Sequence, residues 1–137
     1  MKKTKLRSRT NKKTLLKKAH KACWKACYEA IKRRDKVCQV HPNCTEKVLQ
    51  ADHFVSRKHL NTFYDERNLL LVCSVANWQK FIGRGNVAYL IGKRVEEKWG
   101  FETIEELGRN ARIPKKWSIE ELEHLTKQFE EMYLGDT

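Results

Sequence analysis

Residues 48–86 read VLQADHFVSRKHLNTFYDERNLLLVCSVANWQKFIGRGN, and this stretch decides the fold. Val48 to Phe54 mixes β-branched and apolar residues and predicts a strand ending at the pair Asp52-His53. Val55 to Arg67 is polar, long and rich in Arg, His and Asn, and long loops inside compact domains tend to be functional. Leu69 to Val72 is a continuous apolar run that predicts a second, buried strand. A helix is expected to begin near Cys73-Ser74 and to stop at Gly83 or Gly85. Strand, loop, strand and helix in this order, with helices on either side, imply an α+β fold.

Both flanks read as helical. From Lys12 to Arg34, Leu16, Ala19, Cys23, Cys27 and Ile31 recur at helical spacing with lysines between them. Residues 1–11 have no apolar period and are expected to stay disordered until they meet a partner. Beyond the stretch, Asn86 is expected to cap a helix carrying Val87, Leu90, Ile91, Val95 and Trp99 and closed by Gly100. Thr103 to Arg109 predicts a shorter helix. Ser118-x-x-Glu121 is a capping box for a last helix to about Leu134, with Ile119, Leu122, Leu125, Phe129 and Met132 on one face. The expected organisation is a basic arm (1–11), a basic N-terminal helix (12–34), a core with a knuckle-like loop (35–85) and a C-terminal helical extension (86–137).

At 137 residues the chain is one small domain, of the size that often recruits a metal as a staple. Its net charge of +12 is unevenly spread. Met1 to Lys36 carry +13, with Glu29 and Asp35 the only acids, and the remainder carries −1. A basic arm of this kind suits a polyanion. Between Lys17, Lys18, Lys21 and Lys25 stand only small residues such as Ala19, Cys23 and Ala26, whereas a lipid-inserting helix needs Trp, Phe or Leu there. DNA is therefore the expected partner, with Lys17, Lys18, Lys21, Lys25, Arg33, Arg34 and Arg57 as its contacts. A membrane partner is not expected. No long apolar stretch follows the basic N-terminus and no apolar run spans a bilayer, which points to a cytoplasmic protein.

Hydrolysis of a phosphodiester needs an activated water, a cation at the departing oxygen and a clamp on the phosphate. His53 is the candidate base, since a free imidazole is mostly neutral at pH 7. Asp52 offers the hard carboxylate oxygen that Mg²⁺ or Mn²⁺ prefers. Neighbouring strand residues face opposite ways, so Asp52 and His53 can serve together only where the strand ends. Asn77, in the first turn of the following helix, is the second candidate ligand for that cation. Asn68 fits an orienting role, its amide bonding loop backbone so that the His53 segment keeps its shape. Arg57 is the candidate clamp, because a guanidinium grips phosphate in two-pronged fashion.

Five cysteines are an odd number for a disulfide framework and suit metal binding or packing in a reducing compartment. Cys38, Cys44 and Cys73 flank the two strands, where one Zn²⁺ could tie the knuckle to the helix start. A closed site needs a fourth ligand. His41 is the nearest candidate, while position 76, where a Cys-x-x-Cys pair would end, is Ala76. Either His41 replaces that thiolate or packing has superseded the site, with Cys27 a remoter alternative. Cys23 and Cys27 read as core packing, as do Trp24, Trp78, Trp99 and Trp117. His20, His59 and His124 read as surface or loop residues.

The chain from Asp35 to Asn86, and more loosely to Leu134, resembles the phage recombination HNH proteins of the NinG/Rap type. The residues that carry the resemblance are Ala51-Asp52-His53-Phe54, Ser56-Arg57, Tyr64-Asp65-Glu66-Arg67-Asn68, Cys73-x-x-Ala76-Asn77 and Gly85-Asn86. It departs from that family at Ala76, where a zinc cysteine is expected, and in the spacing His41-x-x-Cys44. The resemblance implies a zinc-supported ββα-metal (His-Me finger) core and a metal-dependent endonuclease acting on branched, nicked or recombining DNA. In it Asp52 and Asn77 hold the catalytic metal and His53 is the base. It also implies a phage or prophage protein in the host cytoplasm, with phage recombination proteins or a second copy as protein partners. The competing expectation is a zinc module that binds DNA without cutting it.

Overall fold

The computed structural model describes residues 2–135, with side chains from residue 11 onward. In chain order the elements are α1 (Lys2–Asp35), β1 (Leu49–His53), α2 (Leu60–Phe63), β2 (Leu69–Cys73), α3 (Ser74–Phe81), α4 (Val87–Trp99), α5 (Phe101–Ala111) and α6 (Ile119–Glu131). A short 3-10 turn, Glu66–Asn68, leads into β2. The fold is mixed, mostly helix with one small antiparallel sheet, and so α+β.

The sheet is a single pair. β1 and β2 run antiparallel with Leu49 opposite Cys73 at one end and His53 opposite Leu69 at the other. Every residue of β2 is buried. Its side chains alternate between two cores, as the period of a strand requires. Leu69 and Leu71 pack with Cys23, Cys27 and Ile31 of α1 and with Leu122 and Phe129 of α6. Leu70 and Val72 pack with Ala76 of α3, with Val87, Ile91 and Val95 of α4 and with Leu107 of α5. The free edge of β2 is covered by the knuckle, where Gln39 N donates to Leu71 O at 2.9 Å.

Two expectations about element ends are corrected. The backbone is helical from Lys2, so α1 includes the arm expected to be disordered. Its Lys- and Arg-rich sequence lacks Gly and Pro, and long unbranched side chains lose little freedom in a helix. Asn86 precedes α4 in the left-handed region (φ 54°) and its side chain makes no capping bond, although its carbonyl accepts from Leu90 N at 2.9 Å. A capping side chain needs extended backbone, which the turn through Gly83 and Gly85 does not leave at position 86. The Ser118–Glu121 capping box forms as expected.

An internal charge network joins the elements. Asp35, at the end of α1, accepts from Arg34 (2.8 Å), Lys98 (2.6 Å) and the backbone N–H of Leu71 (2.9 Å). Burial alone would raise the Asp35 pKa, but these donors outweigh it and hold the carboxyl below its usual range.

Candidate functional site

The site grows from the end of β1 at His53. Its imidazole is buried between Trp24 of α1, stacked with ring centroids 5.3 Å apart, and Phe63 of α2 at 4.7 Å. Nε2 lies 3.0 Å from the carbonyl oxygen of Phe63. A carbonyl can only accept, so Nε2 carries the hydrogen and Nδ1 keeps its lone pair. Among the described residues nothing hydrogen-bonds to Nδ1. Burial, opposed by the Phe63 bond and by the Asp52 charge, sets the pKa below the usual imidazole value. The ring is thus neutral, with a defined free lone pair.

Asn68 fixes the segment that follows. Fully buried, it accepts from Val55 N at 2.6 Å through Oδ1, and its Nδ2 donates to Val55 O and Thr62 O, each at 3.1 Å. Its own carbonyl accepts from Phe54 N at 2.8 Å. These bonds lock residues 54–55 against α2 immediately after His53, the orienting role expected for Asn68.

Asp52 faces the other side of β1, toward α3. Its Oδ1 accepts from His53 N at 3.0 Å and from Lys80 Nζ at 3.2 Å. Oδ2 is sealed from solvent with no hydrogen bond, although the Lys80 ammonium is 3.1 Å away. Lys80 also donates to His53 O at 2.7 Å. Asn77, one turn before Lys80, donates through Nδ2 to Gln50 Oε1 and keeps its Oδ1 free. Arg57 is exposed on the intervening loop and has no partner among the described residues. Asp52, His53, Arg57 and Asn77 line both of two adjoining clefts, so the strand end does bring the four together. Lys18, Lys21 and Lys25 line a groove on α1 that shares Trp24 and Tyr28 with the first cleft. Lys17 is exposed just outside it.

The opposite end of the hairpin carries a second cluster. The ligand atoms of Cys38, His41, Cys44 and Cys73 all lie within 4.8 Å of one another. A tetrahedral zinc with bonds of about 2.0 Å to nitrogen and about 2.3 Å to sulfur has ligand–ligand edges of roughly 3.5 to 3.8 Å, so only a small contraction is needed. His41 Nδ1 is 3.3 Å from Cys73 Sγ, and His41 Nε2 is 3.2 Å from Gln79 Oε1. The amide oxygen of Gln79 accepts from Nε2–H and so leaves Nδ1 for a metal. Backbone N–H groups of His41 and Cys73 donate to Cys38 Sγ at 3.5 and 3.3 Å, and that of Ala76 to Cys73 Sγ at 3.3 Å. Burial would raise the Cys38 pKa, but these donors bring it below the usual thiol value. Burial pushes Cys73 up to about 11, helped by the neighbouring Cys44 and Cys38 thiols. Three thiols and an imidazole in this arrangement can hold a structural metal such as zinc.

No protein-family model, no curated protein and no solved structure matches this chain.

Ala76 is fully buried beside Cys73, whose sulfur accepts from its N–H, and His41 supplies the fourth ligand atom of the cluster. Cys27 lies in the other core. Arg33 and Arg34, expected among the DNA contacts, are instead bonded within the chain. Arg33 donates to the carbonyls of Met132 (2.9 Å) and Phe129 (2.7 Å) at the end of α6. The Arg34 side chain is only 5 % exposed and is bonded to Asp35 and to the carbonyls of Glu66 and Leu69. Both close helix and strand ends from within. Trp78 is not core either, being 58 % exposed. His20 is half-buried, with Nδ1 2.8 Å from the Tyr64 hydroxyl oxygen. Gln50, Trp24, Phe63, Gln79 and Lys80 were not singled out as site residues from sequence. Lys80 alone had a usable signal, falling one helical turn after Asn77. Among the described residues, no helix is long and apolar enough to cross a membrane.

Proposed function

We propose that the protein is a metal-dependent endonuclease of the HNH kind, hydrolysing phosphodiesters of DNA from a ββα-metal core buttressed by zinc. The observation that carries this reading is His53. Among the described residues its Nδ1 lone pair and Arg57 have no partner, its ring is fixed by Phe63 O and Trp24, and it shares a cleft with Asp52, Asn77 and Arg57. A structural core has no need for a neutral imidazole held in one tautomer beside a carboxylate and an unpaired guanidinium.

The donor set fits a hard divalent ion. Asp52 Oδ2 is a buried oxygen whose one polar neighbour is the Lys80 ammonium that an ion would displace, and the amide oxygens of Asn77 and of Gln50, which accepts from Asn77, are of the class that Mg²⁺ or Mn²⁺ accepts. When bound, such an ion supplies positive charge at the departing 3′ oxygen. The remaining work falls to the chain's own residues. Arg57 grips the non-bridging oxygens of the scissile phosphate. His53 Nδ1 takes the proton of the attacking water as its oxygen bonds to phosphorus and the bond to the 3′ oxygen breaks; the departing oxygen takes a proton from a solvent water, leaving a 5′ phosphate and a 3′ hydroxyl. Lys18, Lys21 and Lys25 guide the DNA backbone toward the cleft past Trp24 and Tyr28. Recombining, branched or nicked DNA in a phage or prophage setting, inside the host cytoplasm, is the context that the family resemblance suggests. A single site cuts one strand at a time, so double-strand cleavage would require a second copy.

Plasmid nicking with and without Mg²⁺, for wild type and His53→Ala, tests the reading. Metal-dependent nicking that His53→Ala abolishes, with DNA binding retained, is the expected result. One observation favours the second reading, a zinc-supported DNA binder that does not cut: the Lys80 ammonium already pairs with Asp52. If wild type binds DNA but never nicks it under any divalent ion, that second reading stands.

A further inference from the structure

Trp78 and Phe81 stand out from the packing. They lie three residues apart on one face of α3 and are 58 % and 88 % exposed. Both line the cleft that contains Asp52, His53, Arg57 and Asn77. Large aromatics left in water beside a chemically equipped cleft mark a contact surface. The charge around them narrows the occupant. Arg57, exposed and without a partner among the described residues, shares the cleft with the aromatics, as does Lys80, which is paired with Asp52. Aromatic faces beside an exposed guanidinium that has no partner among the described residues fit nucleobases carried on a phosphate chain. In a duplex the base faces are stacked on one another and hidden, so only unpaired bases can offer them to a side chain.

We infer that Trp78 and Phe81 form a stacking platform for unpaired nucleotides, so that the substrate of this cleft carries a single-stranded tract next to the scissile phosphate. The inference rests on the cleft being the nucleic-acid site proposed above, and it adds the strand character of the substrate. Arg57 and Lys80 then meet the phosphates between the stacked bases.

Binding without turnover tests it. Labelled oligo(dT) and a duplex with the same number of phosphates are titrated at fixed ionic strength without added divalent metal. Wild type is expected to prefer oligo(dT). Trp78→Ala and Phe81→Ala should each weaken oligo(dT) binding about tenfold and leave duplex binding unchanged. Both side chains are exposed, so the variants should melt with wild type, which a thermal scan checks. Lys18→Ala/Lys21→Ala/Lys25→Ala should weaken both ligands alike. Equal losses on both ligands in the aromatic variants, or no loss on either, overturns the platform. So does self-association of wild type that Phe81→Ala abolishes, because the face would then belong to a second copy. Absence of Mg²⁺-dependent cleavage refutes only the nuclease reading, and loss of strand preference refutes only the platform.

Discussion

Asn68→Ala should separate the clamp from everything else in the site. The buried wild-type amide makes three hydrogen bonds, one accepted from Val55 N and two donated, to Val55 O and Thr62 O. Thr62 O retains Asp65 N as a donor at 3.2 Å, so its loss is minor. Val55 loses partners for both its N–H and its C=O. An unsatisfied buried backbone group costs about 1 to 3 kcal/mol, and an ordinary lost bond about 1 kcal/mol. The half-buried position of Val55 lets water relieve part of this, which brings the sum to about 3 kcal/mol. For a chain of this length that corresponds to a fall in Tm of roughly 10 °C. Urea unfolding followed by tryptophan fluorescence measures it, and metal content should be unchanged because the Cys/His cluster is at the other end of the hairpin. A variant that unfolds within about 0.5 kcal/mol of wild type, the range of an ordinary surface change, would refute the argument that this amide fixes residues 54–55.

Purified protein should carry one equivalent of zinc-type metal, and a chelator should lower its Tm; metal analysis and a thermal scan read both. Gln79→Leu removes the acceptor that orients His41 and should weaken metal affinity by about 10- to 100-fold in competition with a chromogenic chelator. Asp35 sets an acid limit. Its folded pKa is depressed, so its contribution is complete above the unfolded value of about 3.9 and is lost as pH falls through the lower folded value. Asp35→Asn should therefore be less stable than wild type at pH 7, and the gap should shrink as urea midpoints are followed below about pH 4. Lys80→Met frees the Asp52 carboxylate, and Mn²⁺ binding by calorimetry should tighten about tenfold, equivalent to ~1.4 kcal/mol. Unchanged Mn²⁺ affinity would remove Asp52 from the metal role.

Much of the architecture was legible because it rests on local pattern. The run from Leu69 to Val72 has no polar residue to give to solvent, and it became a strand buried on both faces. Asn68 was legible as an orienter because a lone amide directly before such a run must bond backbone. Cys38, His41, Cys44 and Cys73 were legible from ligand type and spacing, including the departure at Ala76. What stayed hidden depends on contacts between distant parts of the chain. Arg33 and Arg34 look like part of a basic face until α6 and β2 supply carbonyls to them from residues 129, 132 and 69. Trp78 looks like core by composition, yet α3 turns that face toward the cleft. Lys80 reaches Asp52 only because α3 crosses the end of β1.

The two clusters depend on each other through α3. Cys73 is both the last residue of β2 and the cap of α3, its sulfur accepting from Ala76 N. The cluster that holds this sulfur therefore sets where α3 begins and how it is rotated. A helix turns about 100° per residue, so a slip of one residue at Cys73 would swing Asn77 and Lys80 a quarter-turn or more away from Gln50 and Asp52. The His53 imidazole, by contrast, is held by Phe63 O and Trp24, neither of which belongs to α3, while Lys80 of α3 bonds the His53 backbone carbonyl. Loss of the knuckle metal should for this reason disperse the Asp52–Asn77 oxygens while leaving the imidazole in place. The His53 ring and the Asn77 amide are thus oriented by separate contacts, and β1, about 14 Å from Leu49 to His53 at some 3.4 Å per residue, carries His53 beside Asp52 at the end where Lys80 of α3 bonds both.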